Sequence, residues 1–207
     1  MLYIDDHGYI DDDRIIVKIF NKIEREKMDK VNGIVVHQTN APTASSTFNS
    51  YQNAGANGAH FLIDRDGTIY QTASVFRVTW HVGTMKSRCY LTKKCKPAEF
   101  DKAAGLEKSW RNHPEISKLE KKKKFPDRYP GNIDSIGIEI VGKAQKMIDE
   151  KGLNIGDVYE PVNEQQNRSL DWLIKELSDT LKTSMKEIYR HSEIARKNKT
   201  EASTATW

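Results

Sequence analysis

Residues 33–40 read GIVVHQTN, and this stretch decides the fold. Ile34–Val36 is a short continuous apolar run, which predicts a buried central strand of a β-sheet. His37 follows directly, so its side chain would emerge at the end of that strand, where the binding sites of α/β sheets tend to lie. A single histidine at such a place is usually structural. Its interpretation therefore depends on what the other strands carry.

Two more predicted strands end in polar side chains that ligate metals. SIGIEIV at 135–141 is a second buried strand and carries Glu139, and EIYRH at 187–191 is a short strand that ends at His191. Two histidines and a carboxylate form a ligand set of catalytic zinc, with a fourth position left for water. The strand ends therefore predict a metal site with an acid–base residue beside it, which favours a zinc hydrolase over a binding module.

The strands leave the third ligand of this site open. The C-terminal tail contains Glu193 and Glu201, and sequence spacing does not choose between them. Glu139 is the remaining carboxylate, either as a ligand or as the acid–base residue.

The segments around these strands mix helices and strands. HFLIDRDGTIYQT at 60–72 predicts a β-hairpin with Asp66 and Gly67 in its turn. IIVKIFNKIEREK at 15–27 is helix-like, and the residues between 142 and 163 are interpreted as a polar linker.

The clearest helix follows that linker, in NEQQNRSLDWLIKELSDTLK at 163–182. Asn163 can cap it, with Gln166 three residues further on. Leucines at helical spacing form one face that predicts core packing: Leu170, Leu173, Leu177 and Leu181. Strands mixed with helices predict an α/β domain with a mixed central β-sheet flanked by helices.

The length of 207 residues and mass of 23.7 kDa indicate a single domain over residues 1–207. Residues 1–30 form an N-terminal extension. Residues 85–131 form a lysine-rich insertion that is too long for a plain loop, so we expect it to contain helices and to cover one rim of the site. No apolar run approaches the roughly 20 residues that a membrane span needs, and the N-terminus lacks the features of a signal peptide.

The net charge of +4 is mild, and its basic excess lies mainly at 121–124 and 91–96. These runs indicate either a solvated charged face or attraction to an acidic polymer such as a cell wall. No motif with interleaved aromatic residues accompanies them, so nucleic acid is not expected as a partner. Cys89 and Cys95 either close a small disulfide loop or remain two unconnected thiols.

Five segments resemble, in order, the type 2 N-acetylmuramoyl-L-alanine amidases, the family that includes peptidoglycan recognition proteins and phage amidases. They are GIVVHQT, GAHFLIDRDGTIYQ, WHVG, SIGIEIVG and RHSEIARKNKTE, within residues 33–201. The resemblance implies that family's fold and zinc-dependent hydrolysis of the amide between N-acetylmuramic acid and L-alanine in peptidoglycan. GAHFLIDRDG is closest to bacterial recycling amidases, because a catalytic tyrosine of the phage enzymes is replaced here by Ala59.

The same resemblance implies a role for each matching residue. The expected zinc (Zn²⁺) ligands are His37, His191 and Glu201. The expected catalytic residues are Glu139, as general base, and Lys199, which would stabilise the oxyanion. The expected substrate-binding residues are His81, Trp80 and His60, although His60 would alternatively pack in the core or orient a ligand. Glu201 replaces the family's Asp or Cys and lacks the Pro-Gly that usually follows, which indicates a rebuilt loop. Glu193 would then support a ligand histidine.

The opening residues resemble amidases associated with type VI secretion. This implies an antibacterial effector and toxin that is made in the cytoplasm without a signal peptide and acts in the periplasm of a target cell after non-classical secretion. Its partners would be peptidoglycan, an immunity protein that fills the groove around His37 and His81, and a component of the secretion machine. The alternatives are a cytoplasmic wall-recycling or phage lysis amidase, a non-catalytic peptidoglycan-binding protein, and a zinc peptidase that cleaves within the stem peptide.

Overall fold

The computed structural model describes all 207 residues and is built around one central sheet. Its strands are β1 (Tyr3–Ile4), β2 (Ile10–Asp11), β3 (Ile15–Val17), β4 (Glu24–Lys27), β5 (Gly33–Gln38), β6 (Phe61–Ile63), β7 (Ile69–Gln71), β8 (Arg77–Thr79), β9 (Ser135–Ile140), β10 (Ala144–Ile148), β11 (Asn154–Tyr159) and β12 (Ile188–Arg190). Its α-helices are α1 (Ala44–Tyr51), α2 (Arg88–Thr92), α3 (Pro97–Glu107), α4 (His113–Lys122), α5 (Glu164–Leu181) and α6 (His191–Ile194).

The central sheet has six strands in the order β12-β5-β9-β6-β7-β3. β12, β5, β9 and β6 run parallel, β7 returns antiparallel to β6, and β3 pairs parallel with β7. The antiparallel step is the predicted hairpin, with Gly67 at φ +85° in its turn. The prediction of a mixed central sheet flanked by helices is confirmed.

Side-chain alternation divides the sheet into a core face and a site face, because successive strand residues point to opposite sides. Ile34 and Val36 of β5 join the main core together with Ile138 of β9. By the same period of two, His37 and Glu139 point to the opposite face. The strand pattern therefore fixes which side of the sheet carries the site.

Helix α5 covers the core face, as predicted. Asn163 accepts a hydrogen bond from the Gln166 N–H at 2.9 Å, and the Gln166 side chain accepts one from the Asn163 N–H at 3.2 Å. Three of the predicted leucines are fully buried against the sheet and Leu181 packs at the edge of this core. No helix combines the length and the apolar character that crossing a bilayer requires.

Two predictions of local structure were wrong. Residues 15–27 contain β3 and β4 instead of a helix, because Ile15–Val17 completes the edge of the sheet by pairing with β7. Strand pairing of this kind overrides local propensity. The segment interpreted as a polar linker forms the β10–β11 hairpin, whose strands pair only with each other.

The insertion 85–131 folds into α2, α3, a 3₁₀ turn at Trp110–Asn112 and α4. Cys89 and Cys95 form a disulfide, with their Cα atoms 5.4 Å apart. The segment is attached to the domain by two ion pairs. Arg88 binds both carboxylate oxygens of Glu187 at 2.9 and 2.7 Å, and Glu107 at the end of α3 pairs with Arg196.

A buried ion pair organises the chain where the insertion returns to the sheet. Asp134 binds Arg128 through two hydrogen bonds of 2.9 and 3.0 Å and accepts a third from the Gly131 N–H. Breaking such a buried pair by removing one partner costs about 3–5 kcal/mol. The adjacent Asn132 uses its side-chain oxygen to accept the N–H groups of His81 and Val82 at 3.1 and 2.8 Å. The pair thereby fixes the segment that faces the strand ends.

Candidate metal centre and its cavity

Three neighbouring parallel strands bring the predicted metal and acid–base residues to one end of the sheet. His37 on β5 is paired in register with Glu139 on β9, and Arg190 of β12 is paired with Val36. His191 is the next residue and begins α6, so it lies beside His37. The structure therefore brings together the three side chains that the strand ends predicted.

Three potential ligand atoms converge at this point. His37 Nδ1 lies 2.8 Å from His191 Nδ1, and His191 Nδ1 lies 2.9 Å from Glu201 Oε1. Glu201 Oε1 is 3.6 Å from His37 Nδ1. All three residues are buried, and together they could hold a metal ion.

The hydrogen-bond partners of the rings assign the histidine tautomers. His191 Nε2 lies 2.8 Å from the Val82 carbonyl, which only accepts, so Nε2 carries a proton and the metal-binding lone pair of the neutral ring is on Nδ1. His81 Nε2 faces the Ser135 carbonyl at 3.3 Å, which leaves His81 Nδ1 as an acceptor. His37 Nε2 is 3.0 Å from that acceptor and must donate to it. His37 Nδ1 therefore also carries a lone pair.

His37 Nδ1 and His191 Nδ1 lie 2.8 Å apart, and in the neutral rings both nitrogens present a lone pair to the same point. Burial, followed by the neighbouring charge of His191, lowers the pKa of His37 to about 4, so the ring is neutral at pH 7. Facing lone pairs repel each other unless a cation lies between them. Two imidazole nitrogens and a carboxylate oxygen are the donor set of catalytic zinc, so the residues present fit this metal.

Glu201 is kept ionised beside the two rings. Burial raises its pKa, but hydrogen bonds and charges from His191 and His37 more than offset this and lower the value to about 2. The loop is anchored at Ala202, which has a φ of +51° and donates its N–H to Gln38 at 2.9 Å. A contact of the Ala202 backbone with the Gln38 side chain thus helps to hold Glu201 beside the two rings.

Glu139 has the properties of an acid–base residue. Burial and the charge of Glu201 raise its pKa to about 7, against a hydrogen bond from Tyr51 that lowers it. The Tyr51 hydroxyl also accepts the N–H of Ala59 at 3.4 Å. The hydroxyl of Tyr51, in α1, therefore lies beside Glu139. Ala59, where a tyrosine stands in the phage enzymes, has no hydroxyl to offer. Sequence reasoning missed Tyr51, because nothing in α1 signals which way its side chain points.

A cavity of about 740 Å³ opens onto these groups. Lys197 and Lys199 are both exposed, and only Lys197 lines the wall of the cavity. The role of Lys199 that the family resemblance implied stays a prediction. Other residues that line the cavity are Trp80, His81, Lys121, Arg128, Ile133 and Tyr159.

The predicted substrate-binding residues occupy different environments. Trp80 lines the cavity with its ring about half exposed, and the Arg25 guanidinium lies 4.5 Å from the ring centre. His81 also lines the cavity, and its Nδ1 contacts His37. His60 is fully buried behind the sheet surface, where Nδ1 accepts the Gly137 N–H at 3.0 Å. His60 is therefore a core residue and does not reach substrate.

Glu193 is not placed to ligate a metal or to support a ligand histidine. Its carboxylate accepts the Arg190 N–H at 2.6 Å and lies 3.7 Å from that guanidinium, at the start of α6. Its side chain is exposed. It caps the short helix that His191 begins, which corrects the expectation from the sequence.

The fold places a group that could hold a metal ion, with Glu139 beside it, at the ends of parallel strands. The sequence profile of the N-acetylmuramoyl-L-alanine amidase family matches residues 27–203, and the chain belongs to this family. No curated protein sequence matches the chain.

Solved structures resemble the chain at low sequence identity. A selenomethionine derivative of AmpD has the same fold, with a TM-score of 0.53 and 16% identity over 96% of this chain and 91% of that chain. The endolysin LysCS from Clostridium intestinale has a TM-score of 0.48 and 19% identity over 89% of this chain and 84% of that one. AmpDh3 from Pseudomonas aeruginosa, in complex with anhydromuramic pentapeptide, has a TM-score of 0.49 and 20% identity over 94% and 59% of the respective chains.

Replacing His81 tests its role in holding the His37 tautomer. We expect His81→Ala to weaken Zn²⁺ binding by about 10–100-fold, because His37 loses the acceptor that keeps its proton on Nε2. His81→Asn should recover part of this loss, since its amide oxygen can accept the same proton. Competition with a chromogenic chelator measures both affinities. His113→Ala is the control, and an affinity for His81→Ala within twofold of wild type would contradict the assignment.

Proposed function

We propose that the protein is a zinc-dependent amidase that hydrolyses the bond between the lactyl group of N-acetylmuramic acid and L-alanine in peptidoglycan. The observation that carries this proposal is the convergence of His37 Nδ1, His191 Nδ1 and the Glu201 carboxylate on one point. Family membership supports the substrate and the reaction. The position of Glu139, in register with His37 at the cavity, supplies the acid–base group.

In this proposal His37, His191 and Glu201 hold the metal. Bound Zn²⁺ would activate water and polarise the scissile carbonyl. Glu139 takes the proton of the attacking water and delivers it to the leaving nitrogen as the C–N bond breaks. Lys197 supplies positive charge from the cavity wall to the oxyanion that forms on the carbonyl oxygen. The Tyr51 hydroxyl holds the Glu139 carboxyl in position.

Digestion of purified sacculi tests this function. We expect zinc-loaded protein to release new L-alanine N-termini, and Glu139→Gln to lower the rate by about 10²–10⁴-fold because the proton carrier is lost. A chelator should abolish the reaction and added Zn²⁺ should restore it. Sacculus binding without new termini would identify a binding protein, and cleavage between stem residues would identify a peptidase.

Two lysines two residues apart provide a matched pair in the same assay. Lys197→Ala should lower the rate by about 10²–10³-fold, as expected for loss of one oxyanion stabiliser. Lys199→Ala should stay within twofold of wild type, because Lys199 does not line the cavity. A large loss of rate for Lys199→Ala and a small one for Lys197→Ala would instead support Lys199 as the catalytic lysine, as the family resemblance implied.

We further propose that the amidase acts as an antibacterial effector in the periplasm of a target cell, with an immunity protein in the producing cell. The resemblance of the opening residues to amidases of type VI secretion supports this setting. The Cys89–Cys95 disulfide also fits an oxidising compartment.

Directed expression in a susceptible bacterium tests this setting. The protein fused to a periplasmic export signal should lyse the host, and the unfused protein should not. Glu139→Gln fused to the same export signal is the control, because it should not lyse the host if lysis requires catalysis. Equal growth of cells that export the wild type and the control would argue for cytoplasmic recycling of wall fragments.

A further inference from the structure

The positive charge of the chain is concentrated in the insertion. Residues 85–131 contain fourteen Lys and Arg against six Asp and Glu, an excess of eight positive charges. The whole chain has a net charge of +4, so the other residues together are net negative. The insertion is thus a basic module on a weakly acidic domain.

Most of these basic side chains have no partner within the protein. Arg88, Arg128 and Lys123 form ion pairs, and Lys86 donates to the Ser192 carbonyl. The other ten form no ion pair and are exposed: Lys93, Lys94, Lys96, Lys102, Lys108, Arg111, Lys118, Lys121, Lys122 and Lys124. Three of the six acidic residues of the insertion are already used in ion pairs, namely Glu99, Glu107 and Glu120. The charges of this surface outside ion pairs are therefore ten positive and three negative.

The basic surface is continuous with the catalytic cavity. Lys121, in the last turn of α4, lines the cavity and is followed directly by Lys122. Lysine near a helix C-terminus interacts favourably with the helix dipole, which accounts for Lys121 and Lys122. It does not account for Lys102 and Lys118, which lie inside α3 and α4, or for Lys124 beyond the helix.

Two ion pairs attach the helical unit to the domain. Arg88–Glu187 holds the start of α2, and Arg196–Glu107 holds the end of α3. Trp110, at the turn between α3 and α4, exposes 74% of its surface, and the Arg111 guanidinium lies 5.8 Å from the centre of its ring. A fixed array of cations with an exposed aromatic ring suits a polymer of sugars and carboxylates.

We propose that the insertion is a docking surface for the carboxylate-bearing strands of insoluble peptidoglycan, which it holds while one stem enters the cavity. The inference rests on the proposed function and names its substrate as the assembled wall, because a soluble fragment would fill the cavity without reaching α3. Long-range attraction between this surface and the polyanion raises the local concentration of stems at Glu139.

Four neutralising substitutions outside the cavity test the surface: Lys102→Gln, Lys118→Gln, Lys122→Gln and Lys124→Gln. The combined variant should bind purified sacculi at least tenfold more weakly in co-sedimentation at about 0.05 M salt, with little difference at about 0.5 M, where surface charges are screened. The rate at which the variant digests sacculi should fall in proportion to its loss of sacculus binding. Hydrolysis of a soluble muramyl peptide should stay within twofold of wild type.

A second set of exposed lysines serves as the matched control, since it removes the same charge elsewhere: Lys27, Lys30, Lys151 and Lys186, each changed to Gln. Equal sacculus binding by both variants would overturn the proposal, as would duplex DNA that displaces wild type from sacculi at lower concentration than soluble peptidoglycan strands. The corresponding Lys→Arg set should retain binding, which separates charge from misfolding. If wild type binds sacculi through these lysines but hydrolyses neither substrate, the docking surface stands and the amidase proposal fails.

Discussion

The close approach of the Nδ1 atoms of two histidine rings is the constraint on which the rest of the site depends. His37 Nδ1 and His191 Nδ1 lie 2.8 Å apart, and each ring is turned by a donor–acceptor contact on its other nitrogen. The Val82 carbonyl fixes His191, and His81 fixes His37 through its own contact with Ser135. Together with Glu201, the two nitrogens form a group that could hold a metal ion.

Several features of the fold maintain that arrangement. Gly137 leaves room for His81 on the sheet surface, because a Cβ there would lie 2.9 Å from the imidazole ring. Asn132 holds the backbone of His81 and Val82, and Asn132 itself lies in the segment fixed by the Arg128–Asp134 pair. The Arg128–Asp134 pair thus supports the two histidines indirectly. It holds the segment of Asn132, which in turn holds His81 and Val82, the residues that contact His37 and His191. Outer contacts of this kind orient the ligands in metal sites.

Site residues at the ends of strands could be predicted from the sequence pattern. Residues whose position depends on the path of a loop or the orientation of a helix could not. His37, Glu139 and His191 could be found because each ends an apolar strand, and parallel strands end at one edge. That Lys197 lines the cavity could not be found in this way, since the path of a loop sets its position. Tyr51 lies beside Glu139 because tertiary packing orients its helix, which the sequence pattern does not reveal. Strand β3 forms because it pairs with β7, a long-range contact that local propensity does not predict.

The most direct test of the central claim is an anomalous diffraction measurement at the zinc edge on crystals grown with Zn²⁺. The account predicts one ion per chain, bound by Nδ1 of His37, Nδ1 of His191 and the carboxylate of Glu201. Coordination through Nε2 of either histidine would contradict the tautomers assigned here. So would a zinc ion located away from these three residues, or a centre that stays metal-free at a stoichiometric excess of Zn²⁺.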